Sequence, residues 1–169
     1  HSTSMQEIAL ESGLSKGGIY HYFKSKEDIL FEIHDRFINE GLRRLKKVEE
    51  QYDDPVERLK NLFLEHFRII ESYKNDIMVF FRTLGFLSPE KYTVVKEKRD
   101  EYENIFLKAV SKGKKMGLFW VDDEKIITLF LLGSSNYVHI WYNPEGKYDA
   151  KALAEMFNQL WMNGLKNKG

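Results

Sequence analysis

The chain has 169 residues, of which 43% are hydrophobic and 14% aromatic, so it can bury a substantial core and is not expected to be disordered. It contains no cysteine, which excludes disulfides, thiolate metal sites and a cysteine nucleophile, and it shows no secretory signal or 18-residue apolar span. Its 26 basic and 26 acidic residues cancel, so no overall charge attracts it to nucleic acid, and a cytoplasmic protein is expected.

The first predicted elements are two short helices joined by a tight turn, within residues 3–28. Ser4 can cap the first helix, and Glu7 three residues later completes a capping box. Gly13 lies at the turn, because glycine tolerates the left-handed conformation that ends a helix. Ser15 can cap the second helix, whose polar side chains then face outward. This arrangement predicts a DNA-binding helix-turn-helix.

The second of these helices supplies most of the candidate DNA contacts. Two glycines at its start favour a close approach to the sugar-phosphate backbone or to a thymine methyl group. Residues 12–26 contain three lysines and no acid, so the positive charge is local. Tyr20, Tyr22 and Lys26 are interpreted as phosphate contacts. The predicted DNA-binding residues are Thr3, Ser4, Ser15, Lys16, Gly17, Gly18, Tyr20, His21, Tyr22 and Lys26.

Residues 15–30 read Ser-Lys-Gly-Gly-Ile-Tyr-His-Tyr-Phe-Lys-Ser-Lys-Glu-Asp-Ile-Leu, which resembles the signature of TetR-family transcriptional repressors. The resemblance implies an all-α fold, with a helix-turn-helix DNA-binding domain followed by a helical ligand-binding and dimerisation domain. In that family one helix precedes the motif, packs against its back and supplies a backbone contact. The sequence begins almost at the motif, so we expect this first helix to be missing from it.

Beyond the motif, apolar residues recur every three or four positions, which predicts further helices and no strands. Ser25 can cap a long helix that links the DNA-binding part to the body. The run Asp53-Asp54-Pro55 ends that helix and begins the next. We assign residues 1–46 to the DNA-binding domain with its linking helix, and residues 47–169 to the effector-binding and dimerisation domain.

Four more elements are predicted in the body. A helix at about residues 76–87 stops at Ser88-Pro89, and a charged helix over residues 90–115 ends at Gly117. The segment 122–143 is apolar nearly all round, and residues 149–167 carry an apolar stripe.

The last two of these helices are expected to form a homodimer interface. Gly133-Ser134-Ser135 places small residues within the apolar helix, which allows another helix to approach closely. The family resemblance implies that these helices pair with their copies as a four-helix bundle. A dimer also explains how the protein reaches two half-sites about 34 Å or more apart. The alternative is that this apolar surface belongs to an intramolecular core.

The aromatic residues of the body are candidates for contacting an effector, because small-molecule sites are mostly apolar with a few polar groups. An anionic head group could bind to Arg82, Lys98 or Arg99. The alternative is that aromatic residues at helical spacing are ordinary core. The predicted effector-binding residues are Phe63, Phe67, Phe80, Phe81, Arg82, Tyr102, Phe106 and Tyr137.

The runs Val79–Arg82 and Leu132–Lys147 resemble a subgroup of TetR-like regulators that sense acyl-CoA thioesters and control the degradation of fatty acids or related acids. This resemblance implies an apolar tunnel for the acyl chain and a cationic rim for the CoA phosphates. The expected function is a repressor that an acyl-CoA releases from double-stranded operator DNA, with the helix after Ser25 as the lever. The alternatives are an unrelated hydrophobic compound or drug as effector, and a ligand-binding dimer without DNA binding; activation also stays open.

An enzyme is not expected. None of the five histidines belongs to an HExxH motif or follows a glutamate by three residues, as a helical di-iron site requires. His34, His66 and His139 are interpreted as helix-face or core residues. The sequence also lacks a nucleophile elbow and a glycine-rich phosphate loop. We therefore expect no catalytic residues, no metal and no cofactor.

Overall fold

The computed structural model describes residues 21–165, and between residues 26 and 165 it contains six α-helices. No β-strand occurs in this part of the chain, so the predicted all-α class is confirmed. The helices are α1 (Lys26–Gln51), α2 (Pro55–Thr83), α3 (Pro89–Lys115), α4 (Glu124–Asn136), α5 (Val138–Trp141) and α6 (Ala150–Leu165), with a 3-10 turn at Leu84–Phe86.

The predicted helix ends at Ser25, Pro55 and Gly117 are confirmed. The Ser25 hydroxyl accepts a hydrogen bond from the Asp28 amide at 3.1 Å, and the Asp28 carboxylate accepts one from the Ser25 amide at 2.9 Å, which completes a capping box. Asp54 caps α2, with Pro55 in the first turn. After α3 the backbone of Gly117 has a φ of 70°, a conformation that favours glycine.

Helix α2 lies at the centre of the fold, because it packs against α1, α3 and α6. Helix α3 also packs against α1 on one side and α4 on another. Gly41 of α1 allows a close approach to α3, since a Cβ atom there would lie 2.8 Å from the Tyr102 ring. The packed helices exclude water from large apolar side chains such as Leu45 of α1, Leu59 of α2 and Phe106 of α3.

The helix predicted at residues 76–87 corresponds to the second part of α2, which consists of two helical segments joined by a kink; only its predicted end at residue 87 is wrong, because α2 ends at Thr83. Its only non-helical residue is Tyr73, with φ −125° and ψ 24°, which produces a kink. The segment around Tyr73 contains neither proline nor glycine, so no residue there forces the helix to end.

The prediction of one helix over residues 122–143 is also wrong, since α4 ends at Asn136 and the four-residue α5 follows. The Ser134 and Ser135 hydroxyls both donate to the Leu131 carbonyl at 2.9 Å. Such bonds from serine to the preceding turn compete with the backbone hydrogen bonds and bend helices.

The boundary that we assign between residues 46 and 47 falls inside α1, which continues to Gln51, so a rigid helix crosses it. Among the helices of residues 21–165, none combines the length and the apolar composition that a bilayer crossing demands.

Candidate ligand cavity

A cavity of about 360 Å³ lies between α1, α2, α3 and α4. Its wall is largely aliphatic and aromatic, and it includes Phe37 of α1, Ile70 and Phe80 of α2, Val95 of α3 and Leu132 of α4. Small-molecule sites in proteins have volumes of about 300–1,000 Å³ and mostly apolar walls. The fold therefore encloses a space suited to the apolar part of a small ligand.

The structure brings three of the predicted effector-binding residues together at this cavity, namely Phe80, Phe81 and Tyr102. The other five lie elsewhere. Phe63, Phe67 and Phe106 are core residues that are at most 1% exposed, and Arg82 and Tyr137 are exposed on the surface.

Phe63 and Phe67 are separated from the cavity because α6 covers their side of α2, and Phe106 of α3 packs against Phe63 with ring centroids 4.9 Å apart. The Phe63 and Trp161 rings pack with centroids 4.2 Å apart, and the Phe67 ring lies 5.0 Å from that of Phe157. Aromatic pairs of this kind stabilise the helix packing beyond the burial of their area. For these residues the structure favours the alternative interpretation, that they are ordinary core.

Two histidines line the cavity, both predicted to be core or helix-face residues. The His34 ring on α1 lies with its centroid 4.3 Å from the Phe80 ring and 5.2 Å from the Phe37 ring. Its side chain is fully buried, and neither ring nitrogen has a hydrogen-bond partner. The only sequence signal for such a residue is a histidine at a position of the helical apolar stripe.

His66 of α2 is the second histidine of the cavity. Its Nδ1 atom lies 3.0 Å from the Tyr102 hydroxyl, and its Nε2 atom is buried without a partner. Burial lowers the pKa of both His34 and His66 from 6.5 to about 4, because a charged ring would lose its hydration. Burial also raises the pKa of Tyr102. At neutral pH the polar groups inside the cavity are therefore uncharged.

The rim of the cavity, in contrast, is charged. The exposed Arg99 guanidinium lies 5.6 Å from the centroid of the Phe81 ring and makes no ion pair with any residue between 21 and 165. Lys96 at the rim is paired with Asp100. Lys98, a predicted candidate for an anionic group, instead binds Asp35 and donates to the Asn39 side chain on α1. Arg99 is thus the rim cation best placed to meet an anionic ligand.

Helix α3 also binds the first turn of α1. The Ser88 amide donates to the Glu27 carboxylate at 2.6 Å, and Lys91 forms an ion pair with Asp28. These contacts lower the pKa of both carboxyls, mainly through the hydrogen bonds from Ser88 and Lys91. Lys91 lies one residue before Tyr92, which lines the cavity. These contacts join the start of α3, beside the cavity, to the first turn of α1.

The start of α1 follows the predicted helix-turn-helix directly in the sequence. His21, Tyr22 and Lys26 are all exposed there, with Tyr22 74% accessible. The other predicted DNA contacts lie outside the described residues: Thr3, Ser4, Ser15, Lys16, Gly17, Gly18 and Tyr20.

The outer sides of α4 and α6 expose large apolar side chains at helical spacing. On α4 these are Ile126 and Phe130, at 61% and 64% exposure, and on α6 they are Met156 and Leu160, at 43% and 71%. Gly133 lies on the same side of α4 as Ile126 and Phe130, and a Cβ atom there would meet nothing within 4 Å. Within the described part of one protomer this surface, which we call the outer face, has nothing packed on it.

No cluster of three or more possible metal ligands occurs between residues 21 and 165. Two family models match the chain. Residues 1–33 match the model for bacterial regulatory proteins of the tetR family, and residues 52–165 match the model for the tetracyclin repressor-like C-terminal domain.

Two curated relatives extend over nearly the whole chain. The repressor KstR2 of Mycobacterium tuberculosis is 21% identical over 170 residues, which cover 99% of this chain and 85% of the relative. The fatty acid metabolism regulator protein of Bacillus subtilis is 25% identical over 170 residues, which cover 99% of this chain and 88% of the relative.

Solved structures agree with these matches. The regulator PfmR from Thermus thermophilus superposes with a TM-score of 0.91 at 29% identity, covering 98% of this chain and 90% of PfmR. AibR, solved in complex with isovaleryl coenzyme A and operator DNA, superposes with a TM-score of 0.81 at 23% identity, covering 97% of this chain and 87% of AibR. The chain belongs to the TetR family of bacterial transcriptional regulators.

Proposed function

We propose that this protein is a homodimeric repressor that an acyl-CoA thioester releases from its operator. The observation that carries the proposal is the apolar cavity with Arg99 at its rim, whose α3 wall is bound to the first turn of α1. The acyl chain would lie in the cavity and the CoA phosphates would lie outside it, near Arg99. The relatives support an acyl-CoA as the ligand, since one is a fatty acid metabolism regulator and another was solved in complex with isovaleryl coenzyme A and operator DNA.

Release requires that the effector bind more tightly to the conformation that does not bind DNA. An acyl chain between α1 and α3 would change the distance between these helices at the cavity. Because Glu27 and Asp28 are bound to the start of α3, the first turn of α1 would follow. The two DNA-binding motifs of the dimer would then no longer match half-sites one helical turn apart.

The effector is tested by displacement from DNA. An operator duplex is selected from a random library with the purified protein, and decanoyl-CoA is titrated into the complex while fluorescence anisotropy reports bound DNA. We expect decanoyl-CoA to release the duplex and free coenzyme A to leave it bound. If no acyl-CoA with a chain of about five to sixteen carbons releases the DNA, the effector assignment is wrong. Native mass spectrometry of protein purified from cells then identifies any other bound compound, such as an unrelated hydrophobic one.

Operator binding is expected to depend on Lys26. The variant Lys26→Ala removes an exposed cation beside the DNA-binding motif from each protomer. It should lower operator affinity about tenfold and reduce the slope of log K against log salt by about two, because two phosphate contacts are lost per dimer. Lys47→Ala, an exposed lysine near the other end of α1, is the matched control. Equal affinities for both variants would refute a phosphate contact at Lys26.

Communication between cavity and DNA is expected to depend on Lys91. In Lys91→Ala, operator affinity and decanoyl-CoA affinity measured separately should stay near those of the wild type. The factor by which the effector weakens operator binding should fall several-fold, because the ion pair between α3 and Asp28 is gone. Lys108→Ala is the control, since Lys108 also joins α3 to α1 but contacts Glu49 near the far end of α1. An unchanged factor in Lys91→Ala would show that the movement follows another route.

A further inference from the structure

The cavity contains polar atoms that the protein itself leaves without partners. Both ring nitrogens of His34 and the Nε2 atom of His66 are buried and make no hydrogen bond. Native proteins pair nearly all of their buried polar atoms, so each exception indicates a missing partner. Both histidines line the same cavity, on α1 and α2. The missing partners are therefore expected on the molecule that occupies it.

The chemistry of these nitrogens restricts the partner. Each ring is neutral at pH 7, because burial lowers the pKa of both histidines to about 4, so each carries one N–H donor and one acceptor lone pair. If the Tyr102 hydroxyl donates to Nδ1 of His66, the Nε2–H group remains a free donor. A carboxylate at this depth would be desolvated beside uncharged rings, which is unfavourable. An uncharged oxygen matches these atoms: a carbonyl oxygen can accept hydrogen bonds from the N–H groups, and a hydroxyl group can in addition donate to the acceptor nitrogen of His34.

The aromatic wall of the cavity separates the buried histidine nitrogens from the charged rim, where the charged end of a ligand would bind. The His34 ring packs against Phe37 and Phe80 and has no exposed surface, whereas Arg99 is exposed at the rim. The two carboxylates at the rim already have partners, since Asp100 is paired with Lys96 and Glu103 with Lys125. A ligand with its anion at Arg99 therefore reaches the histidines with an inner, uncharged part.

We propose that the effector carries an uncharged oxygen within the part enclosed by the cavity, and that the ring nitrogens of His34 and His66 bind this oxygen and thereby select for it. The inference rests on the proposed function, since it describes the effector of that same site. The oxygen has two possible sources in an acyl-CoA: the thioester carbonyl, or a hydroxyl or keto group on the acyl chain.

Three probes of equal chain length distinguish the sources: S-decyl-CoA, a thioether without a carbonyl, decanoyl-CoA and 3-hydroxydecanoyl-CoA. Their dissociation constants are measured by isothermal titration calorimetry with the full chain. If the thioester carbonyl is bound, decanoyl-CoA binds about tenfold more tightly than S-decyl-CoA, as one neutral hydrogen bond to a buried group provides. If a chain oxygen is bound, 3-hydroxydecanoyl-CoA binds about tenfold more tightly than decanoyl-CoA.

Variants show whether the histidines make the selection. His34→Phe keeps an aromatic ring against Phe37 and Phe80 without nitrogens, and it should reduce the preference to less than twofold, whereas His34→Gln should retain most of it. His66→Phe tests the second ring independently if His34→Phe does not fold. The control is His139→Phe, because His139 is buried but does not line the cavity, and its Nδ1 already contacts the Asn136 carbonyl.

Each outcome decides the inference. Equal affinities of the three probes for the wild type would overturn it while leaving an acyl-CoA repressor intact. A preference that persists in both His34→Phe and His66→Phe would overturn the role of the histidines. If none of the probes binds, the acyl-CoA effector is refuted and the inference falls with it.

Discussion

Replacing Leu160 by aspartate is expected to convert the dimer into monomers and to abolish tight operator binding. Leu160 is 71% exposed on α6, in the outer face formed by α4 and α6. In a two-fold dimer each residue occurs twice at the interface. Losing two buried leucines at about 2 kcal/mol each, and placing two carboxylates against apolar surface, weakens association by more than about 5 kcal/mol, or over a thousandfold.

The mass of the Leu160→Asp variant is measured by native mass spectrometry and its operator affinity by fluorescence anisotropy. At nanomolar protein we expect a monomer whose operator affinity is at least about a hundredfold lower, because a monomer contacts only one half-site. Phe86→Asp is the matched control and should stay dimeric, since Phe86 is 75% exposed but lies in the 3-10 turn after α2. If Leu160→Asp also stays dimeric, the dimer does not form through this side of α6.

The free energy of unfolding is expected to fall steeply between pH 6.5 and pH 4.5 because of the two cavity histidines. The folded state keeps His34 and His66 neutral, with pKa values of about 4, whereas each has its ordinary pKa of 6.5 in the unfolded chain. Below pH 6.5 the unfolded chain therefore binds more protons, and stability declines as the pH falls. Well above pH 6.5 both states are neutral at these sites and the effect vanishes.

The free energy of unfolding falls by up to roughly 3 kcal/mol for each histidine by pH 4, since one pKa unit corresponds to about 1.4 kcal/mol. Urea unfolding at pH 7.0, 5.5 and 4.5, at one dimer concentration, measures it. His34→Phe and His66→Phe should each remove about half of the pH dependence. Phe80→Leu, a non-titrating change in the same cavity, should lower stability equally at every pH.

Acidic groups with perturbed pKa values contribute in a lower pH range. Arg43 and Arg44 hold the pKa of Glu40 down at about 2, so its stabilising contribution is lost only below pH 4.5. The range from pH 6.5 to 4.5 therefore isolates the histidines. A double variant His34→Phe/His66→Phe with the pH dependence of the wild type would contradict buried, neutral rings in the cavity.

Local sequence determined where most helices begin and end. Ser25, Asp54 and Pro55 act through hydrogen bonds and dihedral angles within four residues, so their roles can be predicted without the tertiary structure. The motif at residues 15–30 predicted the family for the same reason, because its residues are contiguous. Where a local signal was weak, as at Ser135, the prediction was wrong, because a continuous helix was expected and α4 ends at Asn136.

The tertiary structure alone decided which buried residues line the cavity. Helical spacing identifies the apolar side of α2, and both Phe63 and Phe80 belong to it. Only the position of α6 makes Phe63 a core residue, whereas Phe80 lines the cavity. The unpaired nitrogens of His34 and His66 likewise depend on the neighbouring helices. A sequence specifies which side chains avoid water through local periodicity, whereas the partner of each side chain depends on contacts between residues that are far apart in the chain.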